Sequence, residues 1–474
     1  MRKYGFNTIS LLGLCTLFIQ CASEEKPNII LIMADDQGWG DMGYNGHPAI
    51  KTPNFDSMAS SGLRFDRFYA AAPVSSPTRG SVLTGRNPNR FGCFSWGYTL
   101  RPQEITVAEA LKSAGYVTGH FGKWHLGPVR ENSPVNPGNS GFDHWCSSPN
   151  FFDNDPILSR EGKAVQTYGE SSMVTADAAM EFIRAQTDKK KPFLAVVWFG
   201  SPHNPYSAME HDREFYAGEE ERMQHYLGEI TGMDRAVGKI RREIKTLGIS
   251  ENTILWFCSD NGGLAGFSAT GGRGAKGQIY EGGLRVPAIM EWPARIPENK
   301  VSDFPSFTSD IYPTLLEIAG VTMKAQTPLD GISLVQLIDN KIRTREKPMG
   351  FWQFPARGKV TPSAKLMAEL LKEQEAGLTE VADSLPDSDA GEIKIKYDGD
   401  LYPGHSAWLD WPYKLHRIDS ENREPLFELY NLETDPGETN DLSASMPEKV
   451  ISMKKGIEAW LKSVVNSLNG DDYI

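Results

Sequence analysis

Two hydrophobic patterns alternate along this chain. Asn28-Ile29-Ile30-Leu31-Ile32-Met33 runs without polar interruption, as in a strand covered on both faces, and then gives way to Asp35-Asp36. Thr52-Pro53 opens a helix that carries Phe55 and Met58 and stops at Gly62. Further strands are predicted from Gly115 to Phe121, Phe193 to Phe199 and Thr253 to Phe257. Between the last two, Met223, Leu227, Ile230, Met233, Val237, Ile240, Ile244 and Leu247 recur every three or four residues, the core-facing stripe of one long helix. Strands separated by helices predict an α/β fold: a large mixed, mostly parallel sheet sandwiched by helices.

Ser309 to Leu316 reads as the last helix of that sheet, after which the pattern changes. Gly350 to Phe354 and Tyr413 to Ile418 predict a smaller antiparallel sheet, with a helix from Pro447 to Leu468 packed on it. Between them, Ala356 to Asp400 is rich in Lys, Glu and Asp, with a helix around Leu366 to Leu371; it reads as an insertion, either a lid or a solvated decoration. The expected organisation is a signal segment over 1–20, a main domain over 26–345, and a C-terminal subdomain over 346–474 with the insertion around 356–400.

The N-terminus changes the picture by adding a compartment. Arg2 and Lys3 precede an apolar run from Ile9 to Ile19, too short to span a membrane and built like an export signal. Cys21 follows directly, as in a bacterial lipoprotein signal, where it would be the lipidated first residue; Phe18-Ile19-Gln20 lack the small residues usual there, and simple cleavage is the alternative. Both readings export the protein. Cys15 leaves with the signal, so Cys93, Cys146 and Cys258 remain and permit at most one bridge. The 474 residues carry a formal charge of −12, which argues against nucleic acid or an anionic membrane as partner and leaves an anionic substrate open.

Polar residues then cluster where the strands end. Asp35-Asp36 follow the first strand, Lys123 and His125 follow the Tyr116 strand, His203 follows Phe193 to Phe199, and Asp260-Asn261 follow Thr253 to Phe257. Ligands of such sheets collect at the carboxyl ends of strands, so these groups share one edge. An Asp-Asp pair alone reads as a loop or helix cap, but Asp35, Asp36, Asp260 and the Asn261 amide together offer hard oxygen donors suited to Ca²⁺, or less well Mg²⁺. No Cys-x-x-Cys pair or His-rich tract offers a zinc site.

Ser75-Ser76-Pro77-Thr78-Arg79, continuing to Arg86, reads as a helix start with Pro77 at its first position and a serine at or before the cap. Free backbone N–H groups there, with Arg79 one turn on, suit a sulfuryl or phosphoryl group. Lys123 and Lys276 add positive charge, and His125 and His203 add proton carriers for a leaving alcohol. The plain alternatives are a solvated lysine in a glycine-rich loop for Lys276 and a turn histidine for His203. Trp96, Trp145, His405, Trp408 and Trp411 are candidate sugar contacts, each with a structural reading beside it. His120 receives no role.

Ordered together, these motifs resemble the type I formylglycine-dependent sulfatases of the alkaline phosphatase superfamily, of the serine type, and bacterial carbohydrate sulfatases acting on galactose or N-acetylgalactosamine sulfates. The resemblance spans Asn28 to Asp41, Thr52 to Tyr69, the Ser75 signature, Gly119 to Gly127, Ser201 to Pro205, Cys258 to Gly263, the Lys276 passage and Glu428 to Glu438. It implies that Ser75 becomes formylglycine (3-oxoalanine), and that calcium is held by Asp35, Asp36, Asp260 and Asn261 with the modified Ser75. Arg79, Lys123, His125, His203 and Lys276 would meet the substrate or aldehyde. The hydrated aldehyde would attack sulfur, and its second hydroxyl would expel sulfate. A serine precursor further implies a radical-type maturating enzyme in the cytoplasm, acting before export, and a periplasmic or outer-membrane-tethered product of a bacterium. Two other classes stand beside this one: a phosphodiesterase or phosphonate hydrolase of the same superfamily, and a non-catalytic glycan-binding lipoprotein.

Overall fold

The computed structural model describes residues 1, 25–378, 387–420 and 423–473; the signal segment and Cys21 lie outside the described residues. Asn28–Ala34 forms a central strand, parallel to Phe193–Trp198 on one side and Thr253–Ser259 on the other. Its alternate residues separate cleanly. Ile29, Leu31 and Met33 join one buried cluster, and Ile30, Ile32 and Ala34 the other, so the unbroken apolar run serves two helix layers at once. Helices Ser75–Thr84, Val107–Lys112 and Ile311–Ala319 cover the first face; Pro53–Ser61, Ser171–Asp188 and Glu221–Thr246 cover the second.

Among the described residues the sheet has eleven strands. Beyond Phe193–Trp198 lie Val117–Lys123, His144–Ser148 and the antiparallel pair Ile157–Arg160 and Lys163–Gln166; beyond Thr253–Ser259 lie antiparallel Arg285–Glu291, Leu63–Tyr69 and the short edge strands Lys300–Ser302 and Ser306–Phe307. The fold is therefore the expected mixed, mostly parallel α/β sheet. Several of its strands are not evident in the sequence: Leu63–Tyr69 and the three beyond Val117–Lys123 mix polar and apolar residues toward the sheet's margins, and Arg285–Glu291, buried from Val286 to Met290, is masked by Pro287. The Gly115 strand starts later, at Val117, and extends through Lys123.

A second sheet joins Met349–Gln353, His405–Asp410, Tyr413–Ser420 and Arg423–Asn431, all antiparallel. One face packs on helix Pro447–Leu468 through Trp352, Leu415, Leu429, Ile457 and Leu461; the other packs on the main layer through Phe351, Ala407, Leu409, Tyr69, Ile279 and Phe307. The stretch expected as an insertion is anchored: helix Ser363–Glu375 buries Met367 and Leu370 in the main core, Glu373 pairs with Arg130, and Gln374 bonds the Ala164 backbone. Cys93, Cys146 and Cys258 are buried free thiols, so the one bridge that composition allowed is not formed.

Candidate active site

Register assembles the site. Ala34 lies opposite Ser259, so Asp35-Asp36 and Asp260-Asn261 leave neighbouring strands at the same level; Lys123 ends the strand one further over. Helix Ser75–Thr84 starts at this edge with all ten residues buried. Pro77 is its third residue and Val74 its cap, so the helix begins two residues earlier than the sequence suggested. A proline is tolerated there because none of the first four helical N–H groups has an intrahelical acceptor.

Ser75 Oγ, with its residue 2% exposed, is the point on which the strand ends converge. It lies 3.2 Å from Asp35 Oδ1 and 3.4 Å from Asn261 Oδ1, and accepts from Lys123 Nζ at 3.3 Å. Lys123 Nζ also donates to Asp35 Oδ2 at 2.6 Å. Arg79 donates to Asp260 Oδ2 at 2.7 Å and to the Lys123 carbonyl at 3.2 Å, while Asp260 Oδ1 accepts the Asp36 N–H at 3.1 Å. Arg79 and Lys123 thus lie beneath Ser75, both fully buried, and brace the carboxylates. Lys276 reaches in from its glycine-rich loop to Asp36 Oδ2 at 2.6 Å and His203 Nε2 at 3.3 Å.

The histidines differ in their surroundings. His203 Nδ1 donates to the Asn204 carbonyl at 2.6 Å, which leaves Nε2 as acceptor toward Lys276; its ring stacks on Phe151 at 4.0 Å. His125 is 4% exposed and neither ring nitrogen has a partner among the described residues. His125 and Asp36 both hold positive φ, 57° and 67°, a conformation costly for residues with a side chain and found where a site demands it. A cavity of about 850 Å³ opens above, lined by Ser75, His125, His203 and Lys276, with Trp96, the segment 148–157 and residues 360–365.

Electrostatics follow from burial opposed by pairing. Burial pushes the Asp35 and Asp36 carboxyls up, yet Lys123 and Lys276 respectively, each with His203, hold both below the usual range. Burial pulls Lys123 down, and pulls His125 and His203 below the ordinary histidine value, although Asp36 and Asp35 oppose it at His203. Lys276 is held charged by Asp36 and Asp35 despite burial.

Ligand atoms of Asp35, Asp36 and His203 lie within 4.8 Å of one another. The three carboxylates Asp35, Asp36 and Asp260 are balanced by Arg79, Lys123 and Lys276, so a divalent cation would leave the site net positive, as an anionic ester requires. The oxygen-rich set fits a hard cation and offers nothing to a soft one.

Four other residues singled out in the sequence lie elsewhere. Trp145 is core, His405 bonds His416, Trp408 packs on Trp460, and Trp411 lies under Arg67; only Trp96 of the five lines the cavity. His120 is a core ring among Trp124, Phe142 and Trp198, bonded to Ser147. Sequence reasoning missed the segment 150–157, because nothing in its local pattern marks a cavity wall; residues 360–365 belong to the stretch it offered as a lid or a decoration.

The mixed, mostly parallel sheet with a small antiparallel sheet beside it is the alkaline phosphatase-like fold, and a buried hydroxyl held by Asp35, Asn261 and Lys123 lies at its carboxyl edge. The sulfatase family profile matches residues 27–321, and a second profile, N-sulphoglucosamine sulphohydrolase C-terminal, matches residues 274–372. The chain belongs to the sulfatase family and is a sulfuric ester hydrolase. It is 32% identical over 480 residues to N-acetylgalactosamine-6-sulfatase of Mus musculus, covering 92% of this chain and 85% of that one. Arylsulfatase G of Rattus norvegicus is 32% identical over 378 residues, 67% of this chain and 70% of that one. Among solved structures, Ps i-CgsB in complex with k-i-k-neocarrahexaose matches with a TM-score of 0.77 and 25% identity, over 94% of both chains.

Proposed function

We propose that this enzyme releases inorganic sulfate from a galactose or N-acetylgalactosamine sulfate in a glycan, outside the cytoplasm, with Ser75 converted to formylglycine and calcium held by Asp35, Asp36, Asp260 and Asn261 beside it. The observation that carries this reading is Ser75 Oγ, at the floor of the cavity within 3.4 Å of Asp35, Asn261 and Lys123. The relatives named N-acetylgalactosamine-6-sulfatase and the complex with k-i-k-neocarrahexaose support the sugar. Export, with Cys21 as a candidate lipid anchor, rests on the N-terminal pattern; maturation by a radical-type enzyme rests on serine at position 75. In this reading residues 26–345 carry the chemistry and 346–474 complete the cavity wall.

The aldehyde hydrate supplies a nucleophilic hydroxyl with a second to release sulfate, and calcium supplies positive charge against the sulfuryl oxygens. The chain's own residues do the rest. Lys123 and Asp35 fix the side chain at 75, and Arg79 keeps Asp260 turned toward Asp36. His125, with neither ring nitrogen bonded among the described residues, is available to the ester oxygens. Charged Lys276, bonded to His203 Nε2, provides the proton for the departing sugar oxygen.

The test is sulfate release by the matured protein from a panel of sulfated mono- and oligosaccharides, beside aryl phosphate diesters and phosphonates. Release from galacto-configured sulfates, loss on chelation with restoration by calcium, and a residue-75 peptide two hydrogens lighter than encoded are expected. Hydrolysis of phosphonates alone, or full activity with an unmodified Ser75, overturns the reading.

A further inference from the structure

Trp96 is 44% exposed, the one tryptophan so placed among the described residues, and it lines the cavity that holds Ser75. Its position is tightly held. A Cβ on Gly358 would fall 1.9 Å from Trp96 Cε2 and 2.2 Å from Cδ2, so the backbone of the strap at 358 lies flat against the indole and only glycine fits. The Lys359 N–H donates to the Trp96 carbonyl at 2.8 Å, and the next residue, Gly97, donates its N–H to Ser76 Oγ at 2.9 Å. One backbone contact therefore ties the tryptophan to the residue beside the nucleophile. Trp96 has neither a ring partner nor a hydrogen bond for its Nε1 among the described residues, whereas Phe151, which also lines the cavity, is stacked on His203. Val360, 86% exposed, extends the same apolar surface along the strap, and Asp153 lines the cavity without a hydrogen-bond partner among the described residues.

We propose that Trp96, backed by Gly358, is the stacking platform for the sugar ring that bears the scissile sulfate, and that it selects galacto- over gluco-configured rings. This rests on the carbohydrate sulfatase reading above. A pyranose has polar edges and C–H faces; an axial 4-hydroxyl gathers the C–H groups at positions 3, 4 and 5 onto one face, which an indole covers well. An aromatic ring held rigid before binding loses little freedom when it binds. The Asp153 carboxylate, without a hydrogen bond among the described residues, accepts sugar hydroxyls and disfavours a second anionic substituent in its part of the cavity.

The experiment uses the calcium-loaded, matured full chain with N-acetylgalactosamine 6-sulfate and its gluco epimer, N-acetylglucosamine 6-sulfate. Trp96→Ala is expected to raise KM for the galacto probe on the order of tenfold and to flatten the preference between epimers. Trp96→Phe should recover most of both. Gly358→Ala, whose methyl would displace the indole without entering the catalytic cluster, should mimic Trp96→Ala. Inhibition by inorganic sulfate, which reports only the anion site, should keep its constant in all three variants. Unchanged KM and unchanged epimer preference in Trp96→Ala overturn the inference, as does a sulfate constant that weakens in parallel, since that marks collapse of the site. If the wild type releases no sulfate from either sugar, the functional reading itself falls and this inference with it. Wild-type turnover with an indifferent Trp96→Ala removes this inference alone.

Discussion

Position 125 illustrates how a single residue is asked to serve chemistry against its own conformational preference. His125 is held at φ 57° with both ring nitrogens unpaired among the described residues, and Asp36 at φ 67°. A glycine at 125 would accept that backbone without steric cost and leave no buried nitrogen unsatisfied. His125→Gly is therefore expected to melt no lower than the wild type, and up to several degrees higher, while sulfate release falls by about a hundredfold or more. A thermal melt beside a turnover measurement checks this; a lower melting temperature with activity retained would show that the ring serves packing. Arg79 shows the reverse relation. Its helix position places it near the site, as the sequence suggests, but its partner is Asp260, 181 residues away, which no local pattern names.

Helix Ser75–Thr84 and its turn are fixed at their far end by Asp330. That carboxylate accepts from Arg90 Nε at 2.7 Å and Nη2 at 3.0 Å, from the Asn87 N–H at 2.6 Å and from Trp460 Nε1 at 2.8 Å, so it ties the turn after the helix to helix Pro447–Leu468. Burial alone would raise its pKa, but Arg90 and the other donors bring it down to about 2. A depressed carboxyl stabilises the fold above the unfolded value near 4 and loses that contribution as pH falls through about 2. The pairing contributes about 2 kcal/mol at pH 7 by that shift. Asp330→Asn should thus lose at least about that much in urea unfolding at pH 7, and the gap to wild type should shrink between pH 4 and 2. A pH-independent gap would assign the loss to hydrogen bonding alone. None of this node was legible, since Asp330 sits in a Pro-Leu-Asp-Gly stretch that reads as an ordinary turn.

At the scale of the whole molecule, the two sheets meet over a buried polar cluster. Lys414 Nζ lies 3.0 Å from both Glu281 and Glu438, Glu438 bonds His416 and caps the Glu281 N–H at 2.7 Å, and Tyr69 donates to Glu281 at 3.1 Å. Glu281 closes the loop that carries Lys276, so the small sheet steadies one side of the catalytic site. Lys414→Met would leave two buried carboxylates facing one another, and is expected to cost about 3–5 kcal/mol, read as a loss in denaturant stability. Lys414→Met with Glu281→Gln should recover part of it. The sequence by itself determined the layers: unbroken apolar runs force strands buried on both faces, the 3.6-residue stripes supply their covers, and the polar groups closing each run must then gather at one edge. Those are local consequences of burial, so they can be read along the chain. Which strands adjoin, which cation faces which carboxylate, and that Gly358 backs Trp96 depend on segments tens to hundreds of residues apart packing at fixed distances, and only the tertiary structure decided them.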